Sequence, residues 1–171
     1  MKAINRDILS LAIPSIITNI TTPLLALMDV VIVGHMGSPD YIAAIAVGGT
    51  IFNMLYWLFA FLRMGTSGLT AQANGSGDKK GCAQVLSRGL IVALIASAAI
   101  IILQKPLLNL TLDLLEVNGP VRELASIYFT ILVWGAPASL ATFTLTGWLL
   151  GMKNARAPMW IAFVVNLTNI A

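Results

Sequence analysis

The chain has 171 residues, of which 58% are hydrophobic and 10% are charged. Since a soluble domain carries about a quarter charged residues, this composition excludes an ordinary soluble domain. The formal net charge is +3, but the basic residues lie at the ends of apolar runs, so we expect no nucleic-acid partner. The single cysteine, Cys82, excludes a disulfide framework, and the lone His35 has no neighbour at ligand spacing, so no metal site is expected.

Long apolar runs separated by turn-forming residues predict membrane-spanning helices, each of which needs about 20 residues. The predicted spans cover residues 8–33, 48–71, 85–103, 124–150 and 159–171. The sequence therefore predicts an all-α membrane protein, a polytopic transmembrane helix bundle embedded in a lipid bilayer. Pro137, inside the fourth run, is expected to kink its helix. Because the fifth run is too short to cross the bilayer, we expect the N-terminal part of a longer protein whose C-terminal portion is missing; a short re-entrant helix is the alternative.

The distribution of Lys and Arg predicts which ends of the spans face the cytoplasm. If the spans alternate in direction, one side of the membrane holds Lys2, Arg6, Lys79, Lys80, Arg88, Lys153 and Arg156. The loops on the other side have fewer basic residues and also carry Asp113, Glu116 and Glu123. Cytoplasmic loops are enriched in Lys and Arg. The sequence therefore predicts a multi-pass protein of the bacterial inner membrane with a cytoplasmic N-terminus.

Polar residues recur on one face of four predicted spans, at the spacings of three, four and seven residues that share a helix face. These stripes consist of Ser15, Asn19, Thr22 and Asp29; Arg63, Thr66, Ser67 and Thr70; Tyr128, Ser139, Thr142 and Thr146; and Asn166 and Asn169. A single Ser or Thr also serves tight packing between membrane helices. The recurrence on four spans favours a shared polar cavity, lined by Asn19, Thr22, Arg63, Thr66, Thr70, Tyr128, Asn166 and Asn169.

Asp29 is the one acidic residue inside a predicted span. Ionisable residues within membrane segments are rare and mark substrate or ion pathways. A structural role remains open if Asp29 pairs with Arg63. Arg63 itself either pairs with a carboxylate, anchors a helix, or extends its side chain to the membrane surface.

Several segments resemble the multidrug and toxic compound extrusion (MATE) family of transporters, in particular its DinF-type branch. Residues 28–37 (MDVVIVGHMG) are similar to the family's first-helix signature, and residues 61–73 (FLRMGTSGLTAQA) to its second helix. Residues 75–78 (GSGD) match the loop that follows. Residues 135–137 (GAP) and 147–159 (GWLLGMKNARAPM) resemble the fourth helix and the loop into the fifth. The resemblance covers nearly the whole chain.

The resemblance implies a secondary active transporter with two six-helix bundles, of which this chain holds about five spans of the first. Such a protein exports small organic, cationic or xenobiotic substrates by alternating access, in exchange for a proton or sodium ion, and has no other cofactor. Asp29 matches the family's first-helix aspartate, which is implicated in cation coupling. Tyr128 and Asn169 resemble polar residues near that aspartate, while the family's second aspartate corresponds to a position beyond Ala171.

Three other functions remain open. A flippase for lipid-linked precursors has a related architecture, but a pyrophosphate cavity favours several Arg and Lys residues, and only Arg63 lies inside a span away from its ends, since Arg88 is counted with the loop before the third span. A membrane enzyme needs a pair of catalytic groups, and the spans contain one carboxylate and no histidine, so no catalytic residue is predicted. A non-catalytic membrane subunit would use the polar stripes as contacts with its partners.

Overall fold

The computed structural model describes Ile16 and residues 38–170, without the side chains of Phe163 and of residues 165–170. Within residues 38–170 the chain is helical and contains no strand, which confirms the all-α prediction. Seven α-helices and one short 3-10 helix follow one another: α1 (Pro39–Leu58), α2 (Ala60–Gly75), α3 (Lys79–Ile102), α4 (Gln104–Leu114), α5 (Pro120–Leu132), the 3-10 helix (Val133–Gly135), α6 (Ala136–Gly151) and α7 (Arg156–Ile170).

Three helical units in the described part are long and apolar enough to cross a membrane. They are Pro39–Gly75, which joins α1 and α2, Lys79–Ile102, which is α3, and Pro120–Gly151, which joins α5 and α6. The predicted second, third and fourth spans lie within or beside these units. The predicted fifth span lies on α7, and the first, residues 8–33, lies outside the described residues apart from Ile16.

The ends of these helices follow from local chemistry. α1 begins at Pro39, before the predicted membrane segment 48–71, because Ser38 caps it and accepts a hydrogen bond from the Asp40 backbone N–H at 3.3 Å. Proline suits the first helical position, where its missing N–H costs nothing. Asp78 caps α3 in the same way, accepting from the Gly81 N–H at 2.8 Å. The segment after the predicted third span forms the separate helix α4.

Two of these three units are interrupted within their length. The unit Pro39–Gly75 departs from the regular α-helical pattern at Phe59, whose backbone N–H donates to the Tyr56 carbonyl at 3.0 Å. The unit Pro120–Gly151 contains the 3-10 helix Val133–Gly135, and Pro137 stands in the first turn of α6 just after it. Proline removes the donor that would continue the preceding α-helix, so the 3-10 turn lies where Pro137 is expected to disturb its helix.

The described helices pack in two groups. α2, α3 and α6 form one group, in which the contact between α2 and α6 is the most extensive, while α1 packs mainly against α5. At Gly147 of α6 the backbone of α2 comes so close that an added Cβ would lie 3.1 Å from the carbonyl carbon of Arg63. The Trp148 indole N–H donates to the Cys82 carbonyl of α3 at 2.9 Å. Small residues and interhelical hydrogen bonds are the means by which membrane helices associate.

Candidate functional site

The predicted site residues divide into those that the structure describes and those that it does not. Asn19, Thr22 and Asp29 lie outside the described residues. Asn166 and Asn169 lie on α7, whose backbone is described at these positions without their side chains. Arg63, Thr66, Thr70 and Tyr128 are described in full. The coupling role of Asp29 and the cavity as a whole therefore stay predictions.

The three predicted cavity residues of α2 have different surroundings. Arg63 is exposed, and its backbone is the part of α2 that touches α6 at Gly147. Thr66 is buried but borders a groove of about 320 Å³ between α2 and α3, which Arg88 and Gly89 also line. Thr70 is fully buried, because α6 lies against it at Gly151. In this arrangement Thr70 serves the contact between helices, whereas Thr66 lines a groove.

Tyr128 lies in the other helix group, in the contact between α5 and α1. Its ring meets Phe52 of α1 edge-on, with centroids 6.5 Å apart and planes at 70°. Phe52 in turn stacks on Phe129 at 4.9 Å and on Tyr56 at 5.7 Å. Tyr56 meets Phe143 of α6 edge-on at 6.1 Å. We call Phe52, Tyr56, Tyr128, Phe129 and Phe143 the aromatic cluster; it links α1, α5 and α6.

Tyr128 was predicted from the sequence as a cavity residue, whereas Gly48 and Phe52, which pack against it, were not. Gly48, Phe52 and Tyr56 follow one another at intervals of four residues, so they share one face of α1, and this face carries the contact with Tyr128. The spacing was a usable signal for such a face. It could not show which helix lies opposite, because α1 and α5 are more than sixty residues apart in the chain.

Charged side chains gather at the ends of the described helices. Lys79, Lys80, Lys153 and Arg156 are exposed at the helix ends near the α2–α3 and α6–α7 turns. At the opposite end, Arg122 donates to Asp113 at 2.7 Å and ties α5 to α4. Among the described residues, no group of three His, Cys, Asp or Glu side chains is placed to hold a metal ion.

Comparison with known proteins places the chain in a family. A family model described as MatE matches residues 14–171. The chain is 44% identical over 160 residues to the DNA damage-inducible protein F of Escherichia coli K12, an alignment that covers 94% of this chain and 35% of that protein. It is 27% identical over 174 residues to the Multidrug resistance protein PmpM of Pseudomonas aeruginosa, covering 99% of this chain and 35% of that protein.

A solved structure, described as MATE in the bent conformation, superposes on this fold with a TM-score of 0.88 at 28% identity. The match covers 97% of this chain and 37% of that one. The chain therefore spans about a third of the length of the proteins it matches. The resemblance drawn from the sequence motifs is confirmed by these matches. Because the family model covers nearly the whole chain and the fold agrees with it, the chain belongs to the MatE family, whose members are transporters and not enzymes.

Proposed function

We propose that this chain forms the N-terminal part of a secondary active transporter that exports small organic compounds in exchange for protons or sodium ions. The observation that carries the proposal is the match of residues 14–171 to the MatE family model, together with relatives named as multidrug resistance proteins. Since the chain spans 35% of the first of these relatives, we assign the activity to a protein of their full length. We call that protein the full-length transporter.

The exchange runs by alternating access, in which a helix bundle moves between two packings around a central site. A ligand shifts such an equilibrium only by the difference in its affinity for the two states. We assign the coupling to Asp29, because it is the one acidic residue in a predicted span and lies on the stripe of Asn19 and Thr22. Binding of a proton or sodium ion changes the charge and hydrogen bonding of this carboxylate, and the substrate and cation then compete for the cavity.

The proposed orientation places the N-terminus in the cytoplasm. The exposed cations Lys79 and Lys80 at the α2–α3 turn, and Lys153 and Arg156 at the α6–α7 turn, then face the cytoplasm. Export from the cytoplasm requires that substrate enter from this side. The flippase and the non-catalytic subunit are less well supported, because several relatives, including those from Pseudomonas aeruginosa and Yersinia enterocolitica, are named multidrug resistance proteins.

The test is the substitution Asp29→Asn in the full-length transporter. Asparagine keeps the size and most of the hydrogen bonding while removing the titratable charge. We expect normal membrane insertion and abundance, loss of gradient-driven transport of a cationic dye in inverted membrane vesicles, and continued dye binding. The matched control is Thr22→Val, on the same predicted stripe, which removes a hydroxyl and no charge and should have a much milder effect.

The measurement also separates the competing functions. Transport by Asp29→Asn that equals the parent at equal abundance would show that Asp29 does not couple the exchange. A parent protein that moves no dye under either a proton or a sodium gradient, but moves a lipid-linked pyrophosphate, would instead establish the flippase. Dependence of the parent on one gradient alone identifies the coupling ion.

A further inference from the structure

Gly48 of α1 lies directly against the ring of Tyr128. A Cβ added at Gly48 would lie 2.8 Å from Tyr128 Cε1, and the three atoms nearest to it are all ring carbons of that side chain. Carbon atoms in ordinary contact are about 3.5–4.0 Å apart, so even an alanine would displace the ring. The neighbouring Gly49 has no such atom within 4 Å.

The Tyr128 ring has a second neighbour on α1, Phe52, which lies one helical turn after Gly48. Phe52 meets the Tyr128 ring edge-on, at a centroid distance of 6.5 Å. Phe52 is held in turn by Phe129, which is 1% exposed and stacks on it at 4.9 Å. The Tyr128 ring therefore rests on the bare backbone of α1 on one side and on a packed aromatic ring on another.

The Tyr128 ring is not enclosed. It is only half-buried, so burial alone does not fix its direction. The contact with Gly48 is made by ring carbons, which leaves the phenolic oxygen at the far end of the ring, beyond the contact. The hydroxyl moves with the ring, so the approach of the ring to α1 is one determinant of its position, and the missing side chain at position 48 permits that approach.

We propose that Gly48 is a positioning residue that sets the substrate selectivity of the transporter through Tyr128. The inference rests on the proposed function and on the predicted substrate cavity, whose lining includes Tyr128. Because Gly48 has no Cβ, the Tyr128 ring lies against α1, and in the predicted cavity this leaves the space on the other side of the ring to the substrate. Gly48→Ala pushes the ring away from α1 by about 1 Å, which narrows the cavity and moves the hydroxyl.

The first test compares Gly48→Ala with its neighbour Gly49→Ala in the full-length transporter. The assay is uptake of two cationic dyes of different size into inverted vesicles, from which the ratio of their kcat/KM values is taken. A change of one methylene in a binding pocket alters discrimination by about tenfold or more. We expect Gly48→Ala to shift the ratio by about tenfold against the larger dye, while Gly49→Ala, whose new methyl group meets open space, leaves the ratio unchanged.

The second test asks whether Gly48 acts through Tyr128. Residues that act through a shared contact give non-additive effects in a double-mutant cycle. With Tyr128→Ala in place, adding Gly48→Ala should cause no further change in the dye ratio, because the ring atoms that collide are gone. If Gly48→Ala alone lowers the amount of protein in the membrane, the Tyr128→Ala background should restore it. Independent, additive effects would overturn the proposal.

A third measurement does not depend on transport. The transporter is labelled with 3-fluorotyrosine, and the ¹⁹F signal of Tyr128 is identified by its loss in Tyr128→Phe. Gly48→Ala should shift this signal, and Gly49→Ala should not. An unshifted signal in Gly48→Ala would overturn the positioning role. If Gly48→Ala shifts the signal but the parent transporter moves no dye, the proposed function is wrong while the positioning role of Gly48 stands.

Discussion

At the contact between α2 and α6, we predict that replacing Gly147 by alanine lowers the stability of the protein relative to a matched glycine-to-alanine substitution. A Cβ at Gly147 would lie 3.1 Å from the carbonyl carbon and 3.2 Å from the Cα of Arg63, and closer still to the carbonyl oxygen. These are backbone atoms, which cannot turn aside as a flexible side chain can. Gly147→Ala therefore requires the two helices to separate, at the most extensive helix contact in the described part of the chain.

The magnitude follows from two opposing terms. Overpacking of a close contact costs about 1–3 kcal/mol, whereas replacing Gly by Ala inside a helix gains about 1 kcal/mol of helix propensity. The matched control is Gly65→Ala on α2, where an added Cβ meets nothing within 4 Å. Since both changes gain the same propensity term, the difference between them isolates the packing cost. We expect Gly147→Ala to be less stable than Gly65→Ala by about 1–3 kcal/mol.

The assay is equilibrium unfolding of the purified full-length transporter in mixed micelles with an increasing fraction of a denaturing detergent. Both variants are measured beside the parent, with membrane abundance as a second readout. Gly65→Ala should equal or exceed the parent in free energy of unfolding, and Gly147→Ala should fall below Gly65→Ala. Equal stability of the two variants would refute the argument, because it would mean that α2 and α6 do not lie in backbone contact at Gly147.

Two further predictions concern the indole hydrogen bond and the orientation in the membrane. Trp148→Phe removes the donor to the Cys82 carbonyl and should lower the free energy of unfolding by about 0.6–1.7 kcal/mol, the range for interhelical hydrogen bonds in membranes. The control is Trp57→Phe, at a side chain that is 80% exposed, which should leave stability unchanged. An equal effect of both substitutions would contradict the role of the hydrogen bond. In a Cys82→Ala background, an impermeant thiol reagent added to intact cells should label Ser38→Cys and not Ser76→Cys, and the reverse pattern would overturn the cytoplasmic N-terminus.

The helices could be predicted from the sequence because a membrane span has a simple signal. A run of apolar residues long enough to cross the bilayer, bounded by Gly, Pro and charged residues, needs no knowledge of its neighbours. The structure places α3 and the two interrupted units on such runs. The 3-10 turn before α6 was also predictable, because Pro137 cannot donate the backbone hydrogen bond that would continue the preceding helix.

Other features had no such local signal. The break at Phe59 has neither proline nor glycine in the last turn of α1 or the first turn of α2, so no residue there predicts a division of the second span. The helix α4 begins at Gln104, directly after the predicted third span 85–103, and has Lys105 and Pro106 in its first turn. Proline is tolerated in the first turn of a helix, so Pro106 belongs to the start of a new helix there.

The polar stripe on α2 shows why the candidate site was harder to predict than the fold. In a membrane helix, a row of Ser and Thr indicates either a polar cavity or a tight helix contact. Thr66 borders an open groove, whereas Thr70 is 0% exposed beneath Gly151. A glycine on a neighbouring helix lies close to each of them, Gly89 to Thr66 and Gly151 to Thr70. What separates the two cases is whether the neighbouring helices leave a groove beside the threonine, and this is set by tertiary structure, which the sequence of one helix does not contain.

The two glycines, Gly147 and Gly48, illustrate different uses of the same missing Cβ. At Gly147 the opposing atoms belong to the backbone of Arg63, so an added methyl group has to separate two helices and its effect should appear in stability. At Gly48 the opposing atoms belong to the side chain of Tyr128, which can rotate, so the helices can stay together while the ring moves. The stability cost should therefore be larger at Gly147 and the change in dye selectivity larger at Gly48. Measuring stability and dye selectivity on both variants distinguishes a positioning residue from a packing residue. If the loss of selectivity is proportional to the loss of stability in both variants, Gly48 has no separate positioning role.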